Sequence, residues 1–290
     1  MTDTTSQAGA LPAPRIRLHD GHEIPQLGVG VYQVPPPDTA ENVETALRIG
    51  YRHVDGAQMY ENETGVGEGL RRSGVPREDV FLTSKLANGA HRPDDARAAF
   101  DRTLEQLGTD HVDLFLVHWP LPTRYDGDFL STWRVLEELR DSGRARSIGV
   151  SNFQVEHLEV LARAGASMPV VNQVECHPYF LNDDVRSWCR EHDVVVEAWS
   201  PIAQGGVLDD PVVRDVADAL GRTPAQVVLR WHLQSGHVVF PKSVTPSRLE
   251  ENGALFDFEL DESQMARISD LDKGEDGRTG PNPDDFDYVG

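Results

Sequence analysis

The chain has 290 residues, with 27 Lys plus Arg against 48 Asp plus Glu and a formal net charge of −21. That length suits one large α/β domain or two small ones, and the acidic excess argues against nucleic acid as the main partner, because phosphate binding needs a basic surface. Apolar residues make up 39%, and no run approaches the roughly 18 needed to cross a bilayer, so a soluble globular protein with no membrane partner is expected.

No basic segment followed by an apolar stretch opens the chain, so no secretory signal is expected. The two cysteines, Cys176 and Cys189, form no Cys-x-x-Cys pair, which argues against a disulfide framework or zinc knuckle and makes a reducing cytoplasm the expected location. Three lysines occur, Lys85, Lys242 and Lys273, so the position of each carries information.

Residues 1–14 are small and polar with two prolines and read as a flexible tail. Ile16 to Leu18 and Ile24 to Leu27 flank an Asp20-Gly21 pair, the signal of an N-terminal β-hairpin. Short apolar runs then recur at Gly28–Val31, Tyr51–Val54, Val80–Ser84, Val112–Val117, Ala145–Val150, Val170–Val174, Val194–Ala198 and Val238–Phe240, as buried parallel strands should. Helical patterns fill the intervals at Thr39–Ile49, Glu61–Arg71, Asp94–Leu107, Phe129–Leu139, Gln154–Ala164, Asp183–Glu191 and Pro224–Leu233. Eight such runs predict an α/β fold, a (β/α)8 TIM barrel over residues 15–271, with a doubly wound sheet as the alternative. Residues 272–290, rich in Gly, Pro and Asp, read as a mobile C-terminal tail or lid over a substrate.

A barrel of this kind places functional side chains at the C-terminal ends of its strands. Those positions hold Asp55, Lys85, His118, Ser151, Asn152, Gln173, Trp199, Ser200 and Lys242, with Tyr60 in the loop after Asp55. A Tyr, a Lys, an Asp and a His on adjacent strand ends suit proton transfer to an oxygen. The Asp55 carboxylate would hold Lys85 charged, and the ammonium would draw the Tyr60 pKa below its usual value of about 10. His118 would hydrogen-bond the reacting carbonyl oxygen while Tyr60 gives it a proton.

The segments Tyr51-Arg52-His53-Val54-Asp55 with Tyr60, Phe81-Leu82-Thr83-Ser84-Lys85-Leu86, Val112 to Pro120, Gly149-Val150-Ser151-Asn152-Phe153 and Pro241-Lys242-Ser243 together resemble the aldo-keto reductase superfamily, nearest to the bacterial 2,5-diketo-D-gluconic acid reductases. The resemblance covers about residues 16–271. It implies an NADPH-dependent carbonyl reductase acting on aldehydes, ketones, keto-sugars or dicarbonyls, monomeric, with a catalytic tetrad of Asp55, Tyr60, Lys85 and His118. It also implies cofactor binding by Gly30, Val31, Tyr32 and Asp55, with Ser151, Asn152 and Gln173 at the nicotinamide carboxamide and the face of Trp199 stacking on the ring. Ser200, Pro201, Ile202, Gln204 and Gly205 resemble the loop that covers the pyrophosphate. Lys242, Ser243, Val244, Thr245, Arg248, Glu251 and Asn252 lie at a helix start suited to the adenosine 2′-phosphate.

Two positions depart from the family pattern. Gly56 stands where relatives usually carry Thr, and Ala87 where many place a Trp against the substrate. Ala87 implies a wider mouth, walled by Tyr32, Tyr60, His118 and Trp119. Gly65-Val66-Gly67-Glu68-Gly69 follows no apolar strand and is set aside as a dinucleotide fingerprint. Cys176-His177 has no further ligands at suitable spacing, so no metal is expected, and His91 and His111 read as exposed loop residues. A cofactor-binding sensor without turnover remains the second reading, and a metal-dependent hydrolase the third.

Overall fold

The computed structural model describes residues 9–290. Strands β1 (Arg15–Arg17) and β2 (Glu23–Pro25) form the expected antiparallel hairpin. Its turn is made by Asp20-Gly21, with Gly21 at φ 96°, a region glycine enters without the steric cost other residues meet. Leu18 and Ile24 from this hairpin are buried against Leu114, Leu116, Val171 and Val238. The hairpin therefore plugs the N-terminal end of the barrel, and each such fully buried aliphatic side chain contributes roughly 1.5–3 kcal/mol.

The barrel strands are β3 (Val29–Gly30), β4 (His53–Asp55), β5 (Phe81–Leu86), β6 (Val112–Val117), β7 (Ala145–Ser151), β8 (Val171–Glu175), β9 (Val195–Trp199) and β10 (Val238–Val239). Each pairs in parallel with the next. The circle closes where Leu27 bridges Val239, with the Gly28 N–H donating to the Val239 carbonyl at 2.8 Å and the Val239 N–H to the Gln26 carbonyl at 3.0 Å. Each of the eight expected runs thus overlaps a strand, and the barrel replaces the doubly wound alternative.

Ten helices wrap the described residues: α1 (Pro36–Ile49), α2 (Glu63–Ser73), α3 (Pro93–Leu107), α4 (Phe129–Asp141), α5 (Val155–Arg163), α6 (Asp183–Glu191), α7 (Pro211–Leu220), α8 (Pro224–Gln234), α9 (Pro246–Gly253) and α10 (Glu262–Ser269). Helices α7 and α10 were not expected, although both carry local start signals. Asp210 accepts a hydrogen bond from the Val212 N–H, and Asp261 and Gln264 form a reciprocal capping box. The glycines set aside as a fingerprint lie inside α2 and have a packing role. A Cβ at Gly65 or Gly69 would press on Thr39 or Val43 of α1 at 2.7 Å, and one at Gly67 would overlap the Leu107 carbonyl of α3.

Both segments that read as loose make specific contacts. Residues 9–14 are tied down, with the Leu11 N–H donating to the Gly50 carbonyl at 2.9 Å and Leu11 packed on the core; residues 1–8 of the expected tail lie outside the described residues. The 272–290 segment is likewise fastened across the open end of the barrel, as described below. No helix among the described residues is long and apolar enough to cross a membrane.

Candidate active site

The parallel barrel brings the ends of β4, β5 and β6 side by side, and with them Asp55, Lys85 and His118. Lys85 is fully buried. Its Nζ donates to Asp55 Oδ1 and Oδ2 at 3.0 and 2.8 Å, to the Gly56 carbonyl at 2.8 Å and to the Tyr60 hydroxyl at 3.2 Å. Burial disfavours the ammonium, but the adjoining Asp55 charge outweighs it and holds the Lys85 pKa above its ordinary value.

Tyr60 sits partly exposed at the rim on a short helical turn, Gln58–Tyr60. Residues that sequence reasoning missed hold that turn in place. The Gln58 side chain donates to the Ala99 carbonyl and Thr103 hydroxyl and accepts from the Ala87 N–H. Asn62 donates to the Val31 and Val34 carbonyls, which ties the turn to the loop after β3. The only signal for either was its nearness to Tyr60 in sequence.

The expected acidity of Tyr60 is corrected. Burial raises the phenol pKa above 10, and the Lys85 charge recovers part of that rise. At neutral pH the proton stays on the oxygen. His118 packs edge-on to Tyr60, with ring centroids 5.8 Å apart. Burial, reinforced by the Lys85 charge, drives the His118 pKa well below 6.5, so the ring is neutral and carries one N–H to donate. The arrangement therefore offers a phenol O–H and an imidazole N–H at one rim, backed by an ammonium.

Asn152, at φ 64°, follows β7 and is fully engaged: its Nδ2 donates to the His118 carbonyl and to Ser151 Oγ, and its Oδ1 accepts from Trp199 Nε1 at 2.8 Å. Ser151 Oγ donates to the Gln173 carbonyl at 2.8 Å. Gln173 Nε2 donates to Asp55 Oδ1 at 2.9 Å and to Glu197 Oε2 at 2.8 Å, so both amide protons point into the barrel. Gly30 and Val31 are buried, while Tyr32 is exposed with its ring 5.1 Å from that of Tyr60.

After β9 the chain turns sharply through Ser200, Pro201, Ile202, Ala203, Gln204 and Gly205, with positive φ at Ser200, Ala203, Gln204 and Gly205. Beyond β10, Lys242, Val244, Thr245 and Arg248 are exposed around the start of α9, and the Ser243 hydroxyl accepts from the Thr245 N–H at 3.1 Å. Among the described residues, Lys242 and Arg248 have no ion-pair partner, although many other basic residues do. Glu251 instead accepts from the Thr223 hydroxyl at 2.6 Å, and Asn252 lies half-buried on the same helix.

The C-terminal segment crosses this rim. Phe286 lies against Trp119, with centroids 4.0 Å apart; Asp287 pairs with Arg124 at 2.9 Å, and the Tyr288 carbonyl accepts from Asn88 at 2.8 Å, beside Ala87. A Cβ at Gly280 would overlap the Trp199 ring, so only glycine lets the segment pass so close to that face. At Gly56 a Cβ would make ordinary contacts, the nearest 3.5 Å away, so packing does not force the absence of a side chain there. His91 is corrected from exposed to buried: it stacks on Tyr125 at 5.2 Å, and burial lowers its pKa to about 4. His111 is half-buried and bonded to Asp110.

Cys176, His232 and His237 form a buried cluster. Arg186 Nε donates to His237 Nε2 at 3.1 Å, which leaves the His237 proton on Nδ1, facing His232 Nδ1 at 3.1 Å; His232 Nε2 then donates to the Pro201 carbonyl at 2.9 Å. The four ring nitrogens satisfy one another and their neighbours. His177 bonds Glu175 at 3.0 Å instead of joining them.

The model of the aldo/keto reductase family matches residues 26–273. An aldo-keto reductase of Mycolicibacterium smegmatis is 46% identical over 96% of this chain and 100% of its own. Methylglyoxal reductase DkgA of Escherichia coli and glyoxal reductase of Bacillus subtilis are each 45% identical over 93% of the chain and over 97% and 96% of theirs. A crystal structure of a Gox0644 mutant in complex with NADPH superimposes with a TM-score of 0.91 at 44% identity, covering 95% of this chain and 99% of that one. The motifs, the barrel and these likenesses agree, and the chain belongs to the aldo/keto reductase family.

Proposed function

We propose that this protein reduces aldehydes and ketones to alcohols with NADPH, as an alcohol dehydrogenase (NADP+) type of oxidoreductase, and that small dicarbonyls are among its substrates. The observation that carries this reading is the Lys85 ammonium, fixed by Asp55 and the Gly56 carbonyl and 3.2 Å from the Tyr60 hydroxyl. A carbonyl oxygen lodged between Tyr60 and His118 accepts one hydrogen bond from each. NADPH, when bound, supplies the hydride to the carbonyl carbon. As the π electron pair moves onto oxygen, the Tyr60 O–H bond breaks towards it and the alcohol forms. The phenolate left behind faces Lys85, a charge already oriented before the reaction, and regains its proton from solvent at the exposed edge of Tyr60.

The donor set fits NADPH. Lys242 and Arg248, exposed cations without acidic partners among the described residues, stand with the Ser243 and Thr245 hydroxyls at the start of α9, where a phosphomonoester is favoured. Trp199 offers a ring face to the nicotinamide, Ser151, Asn152 and the remaining oxygen of Gln173 border it, and residues 200–205 would cover the pyrophosphate. Substrate would lie among Tyr32, Tyr60, Ala87, His118 and Trp119, under the 272–290 segment acting as a lid. The names of the relatives support dicarbonyl substrates, and Ala87 leaves room beyond the smallest of them.

The reading is tested by following NADPH consumption with methylglyoxal, glyoxal, simple aldehydes and keto-sugars. Tyr60→Phe should lower kcat by about 100-fold or more while NADPH still binds. Failure of every carbonyl to consume NADPH would overturn it.

A further inference from the structure

Behind the proton-donating residues the barrel holds a second acid that they do not explain. Glu197, in the middle of β9, is fully buried and pairs in register with Gln173 on β8 and Val238 on β10. Its Oε2 accepts from Gln173 Nε2 at 2.8 Å, whereas Oε1 has no hydrogen-bond partner. The nearest ring nitrogen is His53 Nε2 at 4.0 Å. That ring is neutral, since burial lowers its pKa to about 4, and its nitrogens are engaged by the Pro25 carbonyl and the Thr83 hydroxyl.

We propose that Glu197 is a positioning residue for the Asp55–Lys85–Tyr60 centre: through Gln173 it fixes the Asp55 carboxylate, and its own ionisation sets the field felt by the proton donor. The proposal rests on Tyr60 being that donor. One amide joins the two acids, since Gln173 donates one N–H to Asp55 Oδ1 and the other to Glu197 Oε2. The groups whose charge reaches Glu197 come from β4 and β5. Asp55 is an anion and Lys85 a cation already committed to Asp55, while His53 is neutral; the neighbouring Gln173 and Val238 do not titrate. A second anion here would have no counter-ion of its own and one bare oxygen, which an interior resists. In keeping with that geometry, burial and then the Asp55 charge raise the Glu197 pKa to about 8.

The consequence has a sign. While Glu197 is a neutral acid, Lys85 answers to Asp55 alone and can meet the phenolate that forms on Tyr60. Once Glu197 loses its proton, the added negative charge opposes that phenolate, makes Tyr60 a weaker acid and slows reduction. Glu197 does not touch the carbonyl substrate, so KM should not follow.

The test compares kcat and KM across pH 6 to 10 for wild type, E197Q and Y60F. Wild-type kcat is expected to fall about fivefold or more between pH 7 and 9.5, with E197Q, which mimics the protonated acid, staying within about twofold and KM steady in both. Superimposable kcat profiles for wild type and E197Q, with Y60F inactive, overturn the role of Glu197 alone. A Y60F variant as fast as wild type overturns the proton-donor reading beneath it. Should E197Q not fold, carboxyl-13C glutamate NMR of an E63Q variant answers the question, because Glu63 is the other buried glutamate raised by burial. One resonance titrating well above the rest supports the proposal; all titrating in the ordinary range refutes it.

Discussion

Glu175 and Thr279 are joined twice: the Thr279 N–H and hydroxyl both donate to Glu175 Oε1 at 2.6 Å, and the next N–H, of Gly280, reaches Oε2 at 2.9 Å. The carboxylate at the end of β8 thus fastens the C-terminal segment beside Trp199 and, through the run to Phe286, beside Trp119. Hydrogen bonds to a charged group are worth about 1.5–3 kcal/mol each, and Glu175→Ala removes all three at once. Limited proteolysis should then cut within 272–290 faster than in wild type while the barrel resists. KM for carbonyl substrates should rise about threefold or more. Equal cleavage rates in the two proteins would mean that Phe286 on Trp119, Asp287 on Arg124 and Asn88 on the Tyr288 carbonyl hold the segment without Glu175.

Removing one member of the Asp55–Lys85 pair should cost more than removing both. The two side chains are buried, with Nζ 2.8 Å from Oδ2. Lys85→Met strands a carboxylate close to Glu197, and Asp55→Asn strands an ammonium; each should cost about 3–5 kcal/mol. The double variant leaves no uncompensated charge and should recover part of the loss, which denaturant melts arranged as a double-mutant cycle would measure. Additive losses would show that the pair does not act as a unit in stability. All three variants should lose carbonyl reduction.

Lys242→Ala should weaken NADPH binding by about tenfold or more and leave NADH nearly unchanged, because a charge-assisted phosphate contact is lost from only one of the two cofactors. Quenching of the intrinsic tryptophan fluorescence, to which Trp199 beside the proposed nicotinamide site contributes, gives both constants. Equal weakening of the two cofactors would overturn the assignment of Lys242 to the 2′-phosphate.

Much of this was legible in the sequence because barrels separate their signals cleanly. Apolar runs mark the strands, and the polar residue that ends each run marks the rim, which is how Asp55, Lys85 and His118 could be read together. Glu197 ends no run; it sits inside Val194–Ala198 and looks like a stray acid. Its meaning depends on Gln173, 24 positions away, and on His53 across the barrel. The acidity of Tyr60 was misjudged for a related reason: a neighbouring ammonium can be inferred from sequence, but the burial that outweighs it cannot. The C-terminal segment read as loose because Gly, Pro and Asp usually mark mobile chain. Glu175, Trp119 and Asn88, which hold it, come from three different strand ends.

The buried histidines predict acid sensitivity. Burial lowers the pKa of His53 and His91 to about 4 and that of His232 to about 3, and holds His237 and His118 well below 6.5. In the unfolded chain each regains a pKa of about 6.5. Between pH 6.5 and those depressed values these groups bind more protons in the unfolded state than in the folded one, so the histidines' contribution to stability is full above pH 6.5 and is lost as the pH falls. Each histidine contributes a slope of up to about 1.4 kcal/mol per pH unit in that window. Glu197 and Glu63, whose pKa values are raised, act in the opposite sense and offset part of that slope, but the depressed histidines outnumber them and thermal melts should still drop steeply from pH 6.5 to 4.5. His91→Gln, which keeps a polar side chain against Tyr125 but removes one titrating group, should make that drop shallower. A drop unchanged in His91→Gln would mean that His91 is protonated in the folded protein without penalty, contrary to its buried, unpartnered ring.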